Sequence, residues 1–228
     1  MSGETQVTAY LLHSRRYRDS SLIVDLFCRE LGRVSCVARG ALRPKSSLPV
    51  RHPFQALSVA FQGRGELPTL VRAEALQVPV ALSGQRLYCG FYLNELLLKL
   101  TVRHDAHPSL FDVYAESLNS LADNSPLEPV LRRFEVRLLE ELGLGLTLDH
   151  DHEGQPLYAD QMYTYSIDAG PAPVTGVHTD ALRGDTLLGL RSGEFANDAA
   201  LREARTLMRK VIDYHLDGKP LHSRTLFR

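Results

Sequence analysis

The chain has 228 residues, of which 44% are hydrophobic and 23% are charged, and its formal net charge is −1. These values exclude extensive disorder, and the length favours two modest domains or one domain with an appended subdomain. The three cysteines, Cys28, Cys36 and Cys89, have no CxxC spacing and so support neither a disulfide framework nor a four-cysteine zinc site. The polar N-terminus argues against a signal peptide or a membrane span, so we expect a cytoplasmic protein.

The small net charge hides an asymmetry along the chain. Residues 1–80 contain 11 Lys and Arg against 6 Asp and Glu, whereas the remaining residues contain 15 against 21. Residues 31–65 contain no Asp or Glu at all. Because soluble surfaces normally intersperse the two signs, this stretch indicates a surface that binds an anion such as a phosphate backbone. The alternative is an ordinary soluble loop with some arginines.

Residues 6–78 have the pattern of a small β-barrel. Short runs rich in Val, Leu and aromatic residues predict five strands, at 6–13, 21–28, 33–39, 54–62 and 68–78. Prolines exclude a continuing strand between the third and fourth of them. Five strands with a longer excursion at that point match an OB-fold, and an SH3-like barrel is the alternative.

In an OB-fold the loops after the first and fourth strands border the nucleic-acid groove, and both predicted loops are basic here. Tyr17, which lies between two arginines, is the candidate for stacking on an unpaired base, whereas Phe54 and Phe61 are expected in the core. The candidate DNA contacts in these loops and along the acid-free stretch are Arg15, Arg16, Tyr17, Arg18, Arg33, Arg39, Arg43, Lys45, Arg51 and Arg64.

Beyond residue 78 the apolar residues recur at helical spacing. Three helices with short connections are predicted at 84–100, 107–121 and 127–142, and they suggest a bundle. Further helices are predicted at 179–190 and 198–216, and a strand at 162–168. The predicted fold class is therefore α+β: an OB-fold barrel over residues 1–80, then a helical region over 81–228 with an irregular insert at about 144–180.

Few residues have the pattern of a chemical site. Phosphate-loop, nucleophile-elbow and zinc-protease motifs are absent from the sequence, and we predict no catalytic residue, metal or cofactor. The run from Asp149 to His152 resembles a metal cluster, but adjacent residues converge on one ion only if a turn arranges them, so a polar loop is favoured. Arg132 and Arg133, on an otherwise apolar helix, either flank a groove for an acidic partner tail or form a solvated pair.

Six stretches in this order resemble one family, the bacterial DNA repair proteins RecO, which are recombination mediators. The stretches are LHSRRYRDSSLIVDLF, GRVSCVARGALR, QGRGELPTLVRAEA, LSGQRLYCGFYLNELL, EPVLRRFEVRLLEELG and GKPLHSRTLF. The resemblance implies an OB-fold, a helical C-terminal region and a non-enzymatic activity. Such proteins bind single- and double-stranded DNA, anneal complementary strands coated by single-strand DNA-binding protein and, with RecR, help to load RecA.

The resemblance also bears on partners and metal. It implies that the acidic, Phe-ending tail of single-strand DNA-binding protein docks on the helical region, and we place that site at Arg132 and Arg133. Some family members hold zinc with four cysteines, whereas this chain has only Cys89 beyond residue 80 and so resembles the zinc-free members. The expected setting is the bacterial cytoplasm, at the nucleoid during repair. An RNA-binding OB-fold protein and a metal-dependent hydrolase are the alternatives.

Overall fold

The computed structural model describes residues 6–63, 65–176 and 178–227. The chain divides into two compact units, one comprising the residues up to Asp123 and those from Leu221 onward, the other Asn124–Pro220. The boundary predicted near residue 80 falls inside the first unit, between its last strand and its first helix.

Five strands of the first unit close into a barrel in the order β1-β2-β3-β5-β4, with β4 pairing back to β1. The β3–β5 pair is parallel, unlike the other pairs, so the barrel is not a simple meander. This confirms the predicted OB-type barrel. Alternating small aliphatic side chains, such as Ala9, Val24 and Leu26, fill its core. The strands are β1 Val7–Tyr17, β2 Ser21–Cys28, β3 Gly32–Ala38, β4 Ala56–Gln62 and β5 Thr69–Ala75.

Strand β1 differs from its prediction. It continues past His13 to Tyr17, so Arg15, Arg16 and Tyr17 belong to a strand and not to the predicted loop. A tight turn follows, in which Arg18 adopts a positive φ of 54°. The sequence prediction was wrong here because a run of polar residues does not end a strand whose backbone pairs with a neighbour.

Two helices, α1 Gly84–Leu100 and α2 Pro108–Ala122, complete the first unit together with a 3₁₀ helix at His222–Phe227. Pro108 occupies the first turn of α2, where the missing N–H of proline costs no intrahelical hydrogen bond. Apolar contacts seat α2 on the outside of the barrel, where the rings of Tyr10 and Phe111 lie 5.2 Å apart between centroids. The third predicted helix belongs to the second unit, so the predicted bundle of three successive helices is divided between the two units.

The second unit contains helices α3 Leu127–Glu141, α4 Gly184–Ser192 and α5 Asp198–His215. It also contains a three-stranded sheet of β6 Met162–Ser166, β7 Gly170–Pro173 and β8 Leu182–Arg183, in the order β7-β6-β8. Of these strands only β6 was predicted. The sequence of β7, GPAP, argues against a strand, but β7 is an edge strand, where proline is tolerated.

Packing in this unit buries one face of each helix against the sheet. Leu139 of α3, Leu187 of α4 and Met208 of α5 meet Tyr163 of β6 in one core. Helix α5 begins at Asp198, as predicted, and its N-cap is Asn197, whose Oδ1 accepts a hydrogen bond from the backbone of Ala200 at 3.0 Å. Among the described helices, none is long and apolar enough to cross a bilayer.

Candidate nucleic-acid interface

The register of β1 decides which side chains reach the outside of the barrel. Before a β-bulge that follows Leu11, the odd-numbered residues Ala9 and Leu11 point into the core. After the bulge, Arg15 pairs with the outward-facing Ile23, so Arg15 and Tyr17 point outwards. Without the extra residue, the same two side chains would face the core, because one residue of shift exchanges the two faces of a strand.

A buried chain of polar groups holds this bulge. The extra residue is Leu12, whose carbonyl oxygen accepts a hydrogen bond from Asn94 Nδ2 at 3.0 Å. The Tyr114 hydroxyl in turn donates to Asn94 Oδ1 at 2.6 Å. Asn94 and Tyr114 are buried, and burial raises the pKa of Tyr114 well above its ordinary value, so its hydroxyl stays a donor. Two helices therefore fix the course of β1.

Sequence reasoning missed this chain of polar groups. A polar residue of an amphipathic helix is expected on its solvent side, whereas Asn94 is only 2% exposed. The spacing along the helix could have indicated that Asn94 is buried. Asn94 lies four residues after the buried Gly90 and three before the buried Leu97, so it shares their face of α1. A buried asparagine requires partners, which the sequence alone does not reveal.

Six of the predicted DNA-contacting residues are exposed cations. Three lie at the end of β1 and in the turn after it, and three on the connection from β3 to β4. Within the described part of the chain, none of them forms an ion pair with a carboxylate. We call them the basic surface: Arg15, Arg16, Arg18, Arg39, Arg43 and Lys45.

The two halves of the basic surface lie side by side. The backbone N–H of Leu42 donates to the carbonyl of Ser20 at 2.9 Å, which ties the β3–β4 connection to the β1–β2 turn. Ala41 and Val50 anchor the connection by packing, fully buried, into the barrel core. The cations therefore share one end of the barrel, where their positive potentials add.

Two further predicted DNA-contacting residues have internal partners. Arg33 is half-buried and donates from Nη2 to the carbonyl of Thr101 at 2.9 Å, and burial together with nearby Arg103 lowers its pKa. Arg51 donates to the carbonyl of Ala41 from Nε at 3.1 Å and from Nη2 at 2.5 Å. These guanidinium groups hold backbone in place, so neither residue is counted in the basic surface. Arg64 lies outside the described residues.

The two aromatic residues that were expected in the core lie there, and the stacking role of Tyr17 stays a prediction. Phe54 is 2% exposed and Phe61 packs against the barrel core, as expected. Tyr17 is half-buried, and the guanidinium carbon of Arg18 lies 5.1 Å from the centre of its ring. The ring of Tyr17 thus already has a cation as its neighbour.

The structure separates the two arginines proposed for the partner tail. Arg132 is 5% exposed, and its guanidinium donates to Glu128 at 3.2 Å and to Glu135 at 2.5 Å. Arg133 is exposed and lies against the end of α4, where a Cβ built on Gly193 would be 3.1 Å from its Nε. A shallow groove of about 180 Å³ adjoins Glu128, and its other lining residues are Asp198, Leu201, Arg202 and Arg205 of α5.

The run from Asp149 to His152 forms an ordered turn. Asp151 Oδ1 accepts hydrogen bonds from the backbone of Glu153 and of Gln155, each at 2.9 Å. Asp149 accepts instead from His150 at 2.6 Å, and this contact holds the pKa of Asp149 below its ordinary value. Among the described residues, no group of three or more His, Cys, Asp or Glu side chains is placed to hold a metal ion.

Two family models together match almost the whole chain: Recombination protein O N terminal over residues 1–79 and Recombination protein O C terminal over residues 82–225. Curated relatives named DNA repair protein RecO are similar over nearly their full length. That of Methylococcus capsulatus is 46% identical over 222 residues, which cover 96% of this chain and 91% of the relative. Those of Stutzerimonas stutzeri and Azoarcus sp. are 45% and 42% identical, over 96% and 98% of this chain and 92% and 95% of the relatives.

Proposed function

Since the chain belongs to the RecO family of DNA repair and recombination proteins, we propose that it is a non-enzymatic mediator of recombination. It binds single- and double-stranded DNA and anneals complementary strands that are coated by single-strand DNA-binding protein. With RecR it assists the loading of RecA. The observation that carries the proposal is the basic surface, six exposed cations without a carboxylate partner in the described part of the chain.

The basic surface acts through charge. Cations attract phosphate groups whatever the base sequence, because binding releases the counterions condensed on the DNA. Two strands that approach each other on such a surface repel each other less, since the arginines neutralise part of the charge of both. No bond is made or broken in this step.

The second unit supplies the proposed site for the tail of single-strand DNA-binding protein. Because Arg132 is buried between two glutamates, we now assign the tail to Arg133 and to the groove that includes Arg202 and Arg205. Arg205 lies 3.4 Å from Glu128, and a tail carboxylate would compete for this exposed pair. Tethering the coated strand in this way raises its local concentration beside the basic surface.

The deciding experiment is annealing of complementary oligonucleotides with and without single-strand DNA-binding protein. The wild-type protein is expected to accelerate annealing in both cases. Arg39→Glu with Arg43→Glu should weaken binding to all sequences alike and reduce the slope of log affinity against log salt by roughly 0.7 to 0.9 for each phosphate group that the variant no longer neutralises.

A matched control reverses two exposed arginines elsewhere, Arg72→Glu with Arg137→Glu, and should anneal like wild type. Both arginines already pair with neighbouring carboxylates, Glu74 at 2.9 Å and Glu140 at 3.1 Å. Equal loss of annealing in the two double variants, or no loss in either, would contradict the assignment of the basic surface.

A further inference from the structure

The barrel strands carry four aromatic side chains, and two of them are buried. Tyr10 and Phe27 lie on the outer face of β1 and β2, yet they are 5% and 0% exposed. Phe61 packs against the barrel core. Tyr17, like Phe61, is partly exposed, and its ring already has Arg18 as its neighbour.

Helix α2 covers the rings of Tyr10 and Phe27. The ring of Phe111 lies 5.2 Å from that of Tyr10 and 5.6 Å from that of Phe27, between centroids. The ring of Tyr114 adds edge contacts to the same two rings, at 5.1 Å and 6.3 Å. The four rings form a closed cluster. The rings of Tyr10 and Phe27 on the outer face of β1 and β2 therefore contact the helix and are not accessible to a ligand.

Proteins that hold single strands through their bases present aromatic side chains on which successive bases stack. The described strands of this barrel present no such row, whereas six cations without carboxylate partners lie at one end of it. Charge complementarity therefore selects the phosphates as the part of the nucleic acid that this surface contacts.

We infer that the basic surface recognises the phosphodiester backbone of a DNA strand and leaves its bases unstacked by the protein, with their pairing edges accessible. The inference rests on the proposed function and deepens it. A strand held by its phosphates can pair with a complement without first being released, whereas a strand stacked on aromatic rings would have to leave those rings. This arrangement suits a protein that anneals strands.

The test compares two labelled probes of the same length and the same number of phosphates, titrated with the full chain at one salt concentration. One probe is a mixed-sequence oligodeoxynucleotide and the other is an abasic oligomer. We expect affinities within about twofold of each other, because the phosphates supply the binding free energy. A loss of about fivefold or more for the abasic probe, the fold-change expected for one stacked base, would overturn the inference.

A second readout reports the pairing edges directly. Dimethyl sulfate methylates N3 of unpaired cytosine, so its reaction rate with the mixed-sequence probe is measured free and at saturation. Equal rates are expected, and protection of N3 in the complex would overturn the inference.

The same titrations separate this inference from the proposed function. If the wild-type protein bound neither probe, or if Arg39→Glu with Arg43→Glu left the affinity for both unchanged, the proposed function itself would fail. If the arginine variant weakened binding of the mixed-sequence probe while the abasic probe bound poorly even to wild type, the proposed function would stand and only backbone recognition would be wrong.

Discussion

Arginine side chains have different roles on the basic surface of the barrel and in the pair Arg132 and Arg133 of α3. On the barrel, Arg39 and Arg43 are exposed and, in the described part of the chain, pair with no carboxylate. In the second unit, Arg132 is buried and donates to Glu128 and Glu135. An arginine in a sequence therefore indicates an anionic ligand only where the fold supplies no acceptor for it.

Breaking the buried pair should have the largest effect on stability. Arg132→Ala removes the guanidinium that lies 2.5 Å from Glu135, whose side chain has no solvent exposure. We expect the free energy of unfolding to fall by about 3 kcal/mol, because removing one partner of a buried ion pair leaves the other charge desolvated. Urea denaturation of the full chain measures the change.

The control for this prediction replaces both charges, Arg132→Met with Glu135→Leu, and is expected to lie close to wild type or above it, since apolar residues of similar volume often substitute for a buried pair. A loss below about 1 kcal/mol for Arg132→Ala would mean that the pair contributes no more than a surface ion pair does.

The basic surface also depends on buried groups, and Asn94→Leu tests this dependence. The substitution deprives the carbonyl of Leu12 and the hydroxyl of Tyr114 of their hydrogen bonds to Asn94. We expect a loss of about 2 kcal/mol in unfolding free energy, and weaker DNA binding because β1 is no longer fixed beyond its bulge. Tyr114→Phe, which removes one bond and keeps the other, should lose about half as much.

Amide hydrogen exchange supplies the more direct measurement for this pair of variants. Faster exchange confined to β1 around the bulge is expected in Asn94→Leu. Unchanged exchange there, together with unchanged DNA affinity, would show that the strand keeps its register without the asparagine.

The sequence predicted the barrel well because its strands are short runs rich in Val, Leu and aromatic residues, and it predicted α1, α2 and α3 because their apolar residues recur at helical spacing. It did not predict the end of β1, since polar residues such as Arg15 remain in a strand when the neighbouring strand pairs with them. The sequence also could not show that Arg39 is available to bind an anion and that Arg51 binds backbone. Only the folded connection brings the carbonyl of Ala41 to the guanidinium of Arg51.

Glu95, in the first unit, extends the comparison to acidic residues. The expected effect of its substitution on the free energy of unfolding is smaller. Burial alone would raise the pKa of Glu95, but hydrogen bonds from Ser223, His222 and Lys99 outweigh burial and hold the pKa below its ordinary value. The backbone N–H groups of His222 and Ser223 lie 2.9 Å and 2.8 Å from this carboxylate. Glu95 thereby fastens the C-terminal 3₁₀ helix to α1.

The sign of the pH dependence follows from the lowered pKa. The stabilisation is complete above the ordinary carboxyl pKa of about 4.3 and is lost as the pH falls through the lower value in the folded state. Glu95→Gln should cost about 1 to 2 kcal/mol at neutral pH and should remove this component from the acid limb of a plot of melting temperature against pH. Parallel acid limbs for the two proteins would contradict the assignment.

The smallest effect on stability is expected at the exposed member of the α3 pair, and it completes the comparison with Arg132. Arg133→Ala should change the free energy of unfolding by no more than about 0.5 kcal/mol, because the side chain is exposed. It should nevertheless weaken the binding of an acidic, Phe-ending peptide by about tenfold, because one charge-assisted hydrogen bond contributes about 1.5 kcal/mol.

Peptide binding, followed by fluorescence anisotropy of a labelled peptide, and binding of bare DNA are measured on the same preparations of this variant. Arg137→Ala is the matched control, since Arg137 is exposed on the same helix, one turn further along, and pairs with Glu140 at 3.1 Å. It should leave both activities unchanged. If Arg133→Ala reduced DNA binding as much as peptide binding, the two exposed groups of arginines would serve one ligand, and the division of labour between the two units would be wrong.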